Sequence, residues 1–234
     1  MSDGFPNKPK ILRGAFVEFG LSLPPLVVVF QFNPLQLTRN RSLTFAPPAA
    51  TGSAGSSTPQ RTIRQFHAEY SNLLDLQKEQ LVTVAEQSIA FDLRLDATDG
   101  LDDENGLSEW FGIAPQIATL ELMVNPKDES VLSGALAAKL GKPGGFSFTR
   151  GANPPLVLFV FGRKRVLPVN ITSMNITETE FSADLNPVRA TVGVSLSVIE
   201  GKSVPYLYSQ AMTEAMSALN LANIADVANV VIPG

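Results

Sequence analysis

Strict alternation of apolar and polar side chains over residues 188–198 constrains the fold of this chain more than any other feature. The even positions are apolar and the odd positions are polar or glycine. Because successive side chains of a β-strand point to opposite faces, this pattern predicts a half-buried antiparallel strand. Residues 89–95 show the same alternation, with apolar side chains at the odd positions. Both segments therefore predict strands with one solvated face.

Further apolar segments predict additional strands. Residues 11–19 and 26–32 are separated by glycine and a proline pair, which predicts a hairpin with a long loop. The continuous apolar run 156–161 predicts a strand buried on both faces. Within 166–177 the apolar phase slips near Ser173, which predicts a β-bulge.

Helical spacing occurs in three places. Residues 113–124 carry apolar side chains at three- and four-residue intervals, with Pro115 suited to a first helical turn. A second helix is predicted over 130–140 and a third over 206–219. The third helix places four residues on one face: Leu207, Ala211, Ala215 and Leu219. The segment 46–62 is rich in Pro, Ala, Gly, Ser and Thr, which predicts a flexible loop. The predicted fold class is mainly β with a few helices.

Composition excludes several classes of function. The chain has 234 residues and a net charge of −4, without a basic run, so nucleic-acid binding is not expected. Cysteine is absent, which excludes disulfides and thiolate metal sites. Residues 1–13 lack the apolar core of a signal peptide, and the longest apolar run, 26–30, is too short to span a bilayer. We expect synthesis in the bacterial cytoplasm and no direct membrane insertion.

Metal and phosphate motifs fail at individual positions. The acidic segment around Asp103 resembles a calcium loop, but Leu101 and Gly112 occupy its first and twelfth positions, where carboxylates are required. Gly201-Lys202-Ser203 resembles the end of a phosphate-binding loop, yet the glycine needed earlier is Leu196. The sequence therefore predicts neither a metal nor a cofactor.

Catalytic arrangements are also incomplete. His67 is the only histidine, and no Gly-x-Ser-x-Gly segment accompanies it, so we interpret it as an ordinary exposed residue. Asp92 and Asp96 share a strand face with Arg94 between them, which favours a neutralised surface ladder over an acid–base pair. The chain is predicted not to be an enzyme. Four aromatic residues are assigned to the core: Trp110, Phe111, Phe159 and Phe161.

Three stretches carry information beyond fold class. They are FQFNPLQLTRNRS at 30–42, LRLDATD at 93–99 and FSADLNPVRAT at 181–191. In content and order they resemble the tube-type domain of contractile injection systems, in the baseplate adaptor family that often carries a LysM module. The resemblance covers about Leu12 to Ile199. No LysM pattern follows Ile199, so we divide the chain into a tube-type β domain, 1–202, and a C-terminal helical extension, 203–234.

The resemblance implies a fold and a function. It implies a tail-tube-like β-sandwich or barrel with flanking helices. Six copies would form a ring that joins the spike hub to the inner tube at the baseplate of a phage-tail-like particle, either cytoplasmic or released. The implied partners are further copies of the chain, the spike hub, inner tube proteins, and baseplate wedge or sheath components. The alternatives are an inner tube subunit of the same machine and a carbohydrate-binding β domain.

Residues near two Asn-Pro turns are the candidates for the ring interface. Asn is expected to bond its own backbone at each turn, and proline fixes φ. Arg39 and Arg189 follow these turns, and two interpretations remain open: local pairing with a carboxylate, or bridging of neighbouring subunits. Polar positions such as Thr191, Ser195 and Ser197 are candidates for the ring lumen. The interface candidates are Asn33, Pro34, Arg39, Arg41, Pro187 and Arg189.

Overall fold

The computed structural model describes residues 12–20, 26–48, 62–98, 110–125 and 153–220, which contain nine strands and four helices. The mainly β fold class with a few helices is confirmed. The strands are β1 Ala15–Glu18, β2 Val27–Val29, β3 Leu37–Asn40, β4 Leu43–Ala46, β5 Leu81–Val84, β6 Ser88–Asp96, β7 Val157–Val160, β8 Val166–Phe181 and β9 Pro187–Val198. The helices are α1 Ile63–Ala68, α2 Leu73–Glu79, α3 Ala114–Val124 and α4 Val204–Asn220.

The chain divides into two compact units. The first comprises Met1–Thr38 and Ser88–Gly234, and the second comprises Arg39–Gln87. A seven-stranded sheet has the order β2-β1-β7-β8-β9-β6-β3, and β4 and β5 form a separate two-stranded sheet. The strand pairs β1–β2, β1–β7, β7–β8, β8–β9, β6–β9 and β4–β5 are all antiparallel.

The two alternating segments form adjacent strands. β6 pairs with β9 along its whole length, from Ser88 opposite Ser197 to Asp96 opposite Arg189. The apolar positions of both strands are buried except Val188, which is half-buried, and the intervening positions are exposed or half-buried. The predictions for 89–95 and 188–198 are therefore confirmed.

The other strand predictions are confirmed with one correction. β1 and β2 form the predicted antiparallel hairpin. The register of β8 on β9 shifts between Ile171 and Ser173, where the bulge was predicted. The run 156–161 does form a strand, β7, but only one of its faces is fully buried. Val157 and Phe159 lie in the core, whereas Leu158 is half-buried, because the second face of this part of the sheet is not fully covered.

Phenylalanine side chains form the centre of the core. The Phe159 ring lies 5.3 Å from the Phe91 ring, 5.8 Å from that of Phe16 and 5.7 Å from that of Phe161, measured between centroids. Phe30 lies 5.1 Å from Phe16 in an edge-to-face arrangement. Three of these rings lie in the strands β1, β6 and β7, and Phe30 and Phe161 directly follow β2 and β7. The cluster therefore joins β6, near one edge of the sheet, to β1 and β2 at the other edge.

Helix α3 was predicted from its spacing and begins at an unusual backbone position. Gly112 has a φ of +57°, in the left-handed region. Ile113 N–H then donates to the Pro187 carbonyl at 2.9 Å, which ties the helix start to the start of β9. Ile117 and Leu120 are buried against the apolar face of the sheet. The helix ends at Asn125, before Pro126, as expected.

Helix α4 packs through a polar contact. The buried Ser209 hydroxyl accepts from Val166 N–H at 2.9 Å and donates to Val166 O at 2.6 Å. The helix was predicted, but its predicted apolar face, which includes Leu207 and Leu219, is exposed. The sheet is contacted instead through the side that carries Tyr206 and Ser209.

The second unit was not predicted from the sequence. β4 and β5 pair from Leu43 opposite Val84. Helix α1 begins with a capping box, in which the Thr62 hydroxyl accepts from Gln65 N–H and the Gln65 side chain accepts from Thr62 N–H. Phe66 is buried in this unit beside Tyr70, at 5.0 Å between ring centroids. The predicted helix over 130–140 and most of the predicted loop over 46–62 lie outside the described residues.

Candidate assembly site

The three stretches that carry the resemblance meet at Asp96. The Asp96 N–H donates to the side-chain oxygen of Gln31 at 2.8 Å. Arg189 Nε donates to Asp96 Oδ2 at 2.8 Å, and Arg189 Nη1 donates to Glu180 Oε1 at 2.6 Å. Each of the stretches 30–42, 93–99 and 181–191 thus contributes one group. The three stretches therefore meet in one place of the fold, although they are far apart along the chain.

Asp96 is held ionised by its neighbours. Partial burial alone would raise the pKa of this carboxyl. Hydrogen bonds from the Thr98 hydroxyl, at 2.6 Å, and from the Thr98 N–H, at 2.9 Å, act in the opposite direction, as does Arg189. The net result is a pKa for Asp96 below its ordinary value.

Replacing Asp96 with asparagine should therefore change how stability depends on pH. The lowered pKa means that the folded state binds this proton less tightly than the unfolded state does. The stabilisation is present above the pKa of an unfolded aspartate, about 3.9, and is lost as the pH falls through the folded value. We expect the wild type to exceed Asp96→Asn in urea-unfolding free energy at neutral pH, with the difference shrinking in acid.

Thr98→Val serves as the second variant for this test. It removes one hydrogen bond to Asp96 but keeps Arg189, so it should show the same pH trend with a smaller amplitude. Because about half of the Arg189 side chain is solvent-exposed, its ion pair with Asp96 is screened by water. The loss of unfolding free energy in both variants should therefore be smaller than the loss caused by truncating a core side chain. If the unfolding free energy of Asp96→Asn stays below that of the wild type by the same amount from neutral to acid pH, the lowered pKa of Asp96 is contradicted.

The predicted interface residues occupy different environments. Arg189 pairs with carboxylates of its own chain, which agrees with the local interpretation; bridging of subunits stays a prediction. Arg39 and Arg41 belong to the second unit and are exposed. The sequence had predicted that the Asn33 side chain bonds its own backbone, but its described hydrogen bonds go to another segment. Its side chain accepts from Gly14 N–H at 2.9 Å and donates to Leu12 O at 2.8 Å, because the start of β1 offers it a pair of backbone groups.

The second Asn-Pro turn also bonds a distant segment. Asn186 Nδ2 donates to the Trp110 carbonyl at 2.9 Å, and Pro187 O accepts from Ile113 N–H. The sequence had predicted that the Asn186 side chain bonds its own backbone, but its described bond goes to the distant Trp110. The turn itself is closed by local bonds between Ser182 and Asn186. The core assignment of Trp110 and Phe111 was also wrong, since their side chains are 73% and 52% exposed. The segment 110–113 is held at the turn by the Asn186–Trp110 and Ile113–Pro187 hydrogen bonds and by the buried Ile113 side chain, which leaves the Trp110 and Phe111 side chains in solvent.

The carboxylate ladder on β6 differs from the prediction. Among the described residues, no ion pair joins Arg94 to Asp92 or Asp96; the cation that pairs with Asp96 is Arg189 on the neighbouring strand. In an antiparallel sheet, residues directly opposite each other on neighbouring strands are closer than alternate residues of one strand. Asp96 therefore pairs with Arg189, which lies opposite it, and not with Arg94. His67 lies in the second unit and is exposed, as predicted, with its Nε2 3.1 Å from Gln80 Nε2.

The polar face of β8 beyond Val169, and of the parts of β9 and β6 beside it, is exposed or half-buried. Short polar residues face each other across these strands: Ser173 opposite Ser195, and Thr177 opposite Thr191. On β9 the polar positions 191, 193, 195 and 197 are exposed or half-buried, in contrast to the buried positions between them. The lumen candidates named from the sequence belong to this face.

Among the described residues, no strand pairs with the outer flank of β8 along most of its length. β7 pairs only with Val166–Val169, whereas β8 continues to Phe181. Ala97 N–H donates to Val188 O at 2.8 Å, so the even residues of β9 direct their backbone groups to β6 and the odd ones to β8. The β8 partners of those odd residues are 173, 175 and 177.

The intervening β8 residues therefore direct their backbone groups away from β9. These residues are Met174, Ile176 and Glu178, and the described part of the chain provides no strand to receive them. This open flank was missed from the sequence. The sequence does contain a sign of it: the apolar run predicted for β7, 156–161, is much shorter than the segment predicted for β8, 166–177, so β7 could pair with only part of β8.

No protein-family model matches the sequence, and no curated protein matches it either. Within the residues that the structure describes, no helix is both long and apolar enough to cross a membrane. The same residues contain no group of three or more His, Asp or Glu side chains placed to hold a metal ion. The site is therefore characterised by its strand geometry: an open strand flank beside an uncovered polar sheet face.

Proposed function

We propose that this chain is a structural component of a contractile injection system. Six copies form a ring that joins the spike hub to the inner tube at the baseplate. The observation that carries the proposal is the open flank of β8, along Met174, Ile176 and Glu178. The resemblance of the stretches 30–42, 93–99 and 181–191 to tube-type domains supplies the identity of the machine.

An open strand flank favours association by strand pairing. Unpaired N–H and C=O groups on a sheet edge form a template for another strand, and natural proteins blunt such edges or pair them. In the proposed ring, a strand of the neighbouring copy occupies this flank, and the contact repeats in one rotational sense until it closes. Closure satisfies the backbone groups that a single copy leaves to solvent.

The uncovered polar face supports a lumen wall. Its short hydroxyl and amide side chains, such as Thr177, Thr191 and Asn175, tolerate water without needing another protein layer. The apolar side chains of the same strands share one buried core with Ile117 and Leu120 of α3. A sheet with one buried apolar face and one solvent-exposed polar face can continue from copy to copy, with its polar face toward the centre of the ring.

Glu178→Pro is expected to abolish the ring without unfolding the chain. Its N–H points to the open flank, so proline removes one outward donor and leaves the ladder to β9 intact. By mass photometry the wild type should form particles of six times the chain mass of 25.1 kDa, and Glu178→Pro should remain monomeric. Negative-stain images of the wild type should show rings.

Two variants control for charge and for position. Glu178→Ala removes the carboxylate but keeps the N–H, and should assemble as the wild type does. Thr177→Pro removes an N–H that faces β9, so it should destabilise the monomer itself in urea unfolding. Ring formation by a folded Glu178→Pro chain, or a wild type that stays monomeric at every concentration tested, would count against the proposal.

An inner tube subunit of the same machine would form a similar ring through the same flank. The adaptor differs in contacting the three-fold spike hub as well as the tube. Binding of the purified ring to a spike hub protein, measured by co-sedimentation, therefore separates the two functions. We expect binding for the adaptor.

A further inference from the structure

Helix α4 turns its apolar side to solvent. Ser209 is the one buried residue of this helix, and the helix contacts the rest of the chain through it and the half-buried Tyr206. Apolar side chains recur on the other side of the helix at intervals of three and four residues, which places them on one helical face. We define the α4 stripe as these six exposed residues: Val204, Leu207, Tyr208, Ala211, Ala215 and Leu219.

The folding of the chain does not account for the α4 stripe. A surface helix of a globular protein normally turns its apolar stripe to the core and its polar side to water. Here the order is reversed: the sheet receives the Ser209 hydroxyl, whereas Val204 and Leu219 are 80% and 65% exposed. A continuous apolar stripe on a surface is typical of a contact site. Ala211 and Ala215 at its centre allow another helix to approach closely, because the distance between packed helices depends on the side chains at the contact.

Two cations border the α4 stripe along one edge. Arg163 and Lys164 are exposed in the turn between β7 and β8, and among the described residues no carboxylate pairs with either of them. The Tyr208 hydroxyl donates to the Arg163 carbonyl oxygen at 2.8 Å, and Lys164 Nζ lies 3.2 Å from Met216 Sδ. The turn is therefore attached to the helix, and its positive charges lie beside apolar side chains.

The opposite edge of the α4 stripe carries different groups. Gln210 Nε2 donates to Glu214 Oε1 at 3.2 Å, and both residues are exposed. The helix itself contains no lysine, arginine or histidine, so the cations at the stripe come from the β7–β8 turn. The two edges therefore differ in charge, and a helix lying on the stripe meets positive charge along one of its sides.

We propose that the α4 stripe docks an acidic amphipathic helix of another protein. The apolar side of that helix packs on the stripe through residues at three- and four-residue intervals, the spacing that the stripe itself has. Its carboxylates pair with Arg163 and Lys164, which favour an acidic partner and repel a basic one. The α4 helix of a second copy does not supply this chemistry, because Glu214 is its one acidic residue.

This docking site goes beyond the proposed ring and does not require it. The ring contact lies on the flank of β8 around Glu178, whereas the docking site lies on α4 and the β7–β8 turn. Binding can therefore be measured in the Glu178→Pro chain, which is expected to be monomeric, and the two proposals can fail independently.

Two synthetic helical peptides test the chemistry of the partner. Both have about 21 residues, three heptads, with leucine and alanine on one side. The flanking positions carry glutamate in one peptide and lysine in the other. In fluorescence anisotropy at low salt, the glutamate peptide should bind at least about tenfold more tightly, and its binding should weaken at about 0.5 M salt. Because the chain carries a net charge of −4, this preference cannot arise from its overall charge.

Charge reversal at the turn should remove the preference. Lys164→Glu is expected to lower the affinity for the glutamate peptide by about tenfold and to raise that for the lysine peptide. Arg94→Glu makes the same change of charge at an exposed position of β6, and should bind both peptides as the parent chain does.

Two substitutions on the helix test the stripe. Ala215→Glu places a carboxylate in the middle of the stripe and should weaken binding of the glutamate peptide by at least about tenfold. Ser217→Glu adds the same side chain on the polar side of the helix, and should leave binding unchanged. Both positions are exposed, so urea unfolding should show no loss of stability in either variant.

Equal binding of the two peptides, or equal affinities of Ala215→Glu and Ser217→Glu, overturns the proposal. Binding that requires deletion of residues 221–234 also overturns it, since that segment would then occupy the stripe. A peptide-free Glu178→Pro dimer that Ala215→Glu dissociates would identify a second copy as the occupant, and would contradict the proposal as well. Normal peptide binding by a wild type that forms no rings, or rings without peptide binding, identifies which of the two proposals has failed.

Discussion

Phe159→Ala should lower the free energy of unfolding by about 3–5 kcal/mol, the range observed when a fully buried phenylalanine is truncated. The Phe159 side chain has no solvent exposure and lies in a cluster with Phe16, Phe30 and Phe91. Alanine removes the whole ring, and the surrounding side chains come from different strands whose backbones are held by ladders. The cavity can therefore collapse only in part, which places the loss in the upper half of the range.

Urea unfolding followed by circular dichroism measures this loss. Phe181→Ala makes the same chemical change at a residue that is 50% exposed, and should alter stability by less than about 0.5 kcal/mol. Both proteins should be compared at one concentration and in the monomeric Glu178→Pro background, because assembly stabilises the folded chain by mass action. A Phe159→Ala loss as small as that of Phe181→Ala would show that this cluster does not form the core.

The strands with a strict period of two were the most predictable part of the fold. In β6 and β9 one face is buried against the aromatic core and α3, so hydrophobicity alone encodes both the strand and the face. The bulge near Ser173 was predictable for the same reason, since inserting one residue reverses the apolar phase. Helix α3 followed from its spacing and from the proline that stops it.

Features that depend on contacts between distant residues were not predictable. Trp110 and Phe111 are as hydrophobic as core residues, but hydrogen bonds from the β8–β9 turn hold their backbone at the surface. The second unit has little apolar periodicity. Its helix starts do carry short-range signals that the predictions above did not use, the Thr62–Gln65 capping box of α1 and the Asn72 cap of α2.

The sequence singled out Arg189 and the polar positions of β9 but missed the open flank of β8, and the interface role of the named residues stays a prediction. Arg189 was identified beside a turn, and a local carboxylate partner was one of two interpretations. Its partner Asp96 lies 93 positions away in the chain, and only the register of β6 on β9 brings the two together. The open flank of β8 depends on where β7 ends, which is set by the loops around it and not by the composition of β8.

Gly112→Ala is the second substitution with a large expected effect, about 3 kcal/mol. Two costs add at this position. The φ of +57° costs an L-residue about 1–2 kcal/mol, and an added Cβ would overlap the Pro187 carbonyl oxygen, which adds an overpacking penalty of about 1–3 kcal/mol. Relief requires α3 to move away from β9, which breaks the hydrogen bond from Ile113 N–H to Pro187 O.

Gly162→Ala separates these two costs. Gly162 has a φ of +70°, but nothing lies within 4 Å of an added Cβ, so only the conformational penalty of about 1–2 kcal/mol applies. In urea unfolding of the Glu178→Pro monomer, Gly112→Ala should therefore lose more than Gly162→Ala does. The slope of the unfolding free energy of Gly112→Ala against urea concentration should equal that of the Glu178→Pro parent if the native state stays equally compact. Equal losses for the two variants would mean that α3 shifts freely on β9, and the close contact between Gly112 and Pro187 would then not be what holds the helix to the turn.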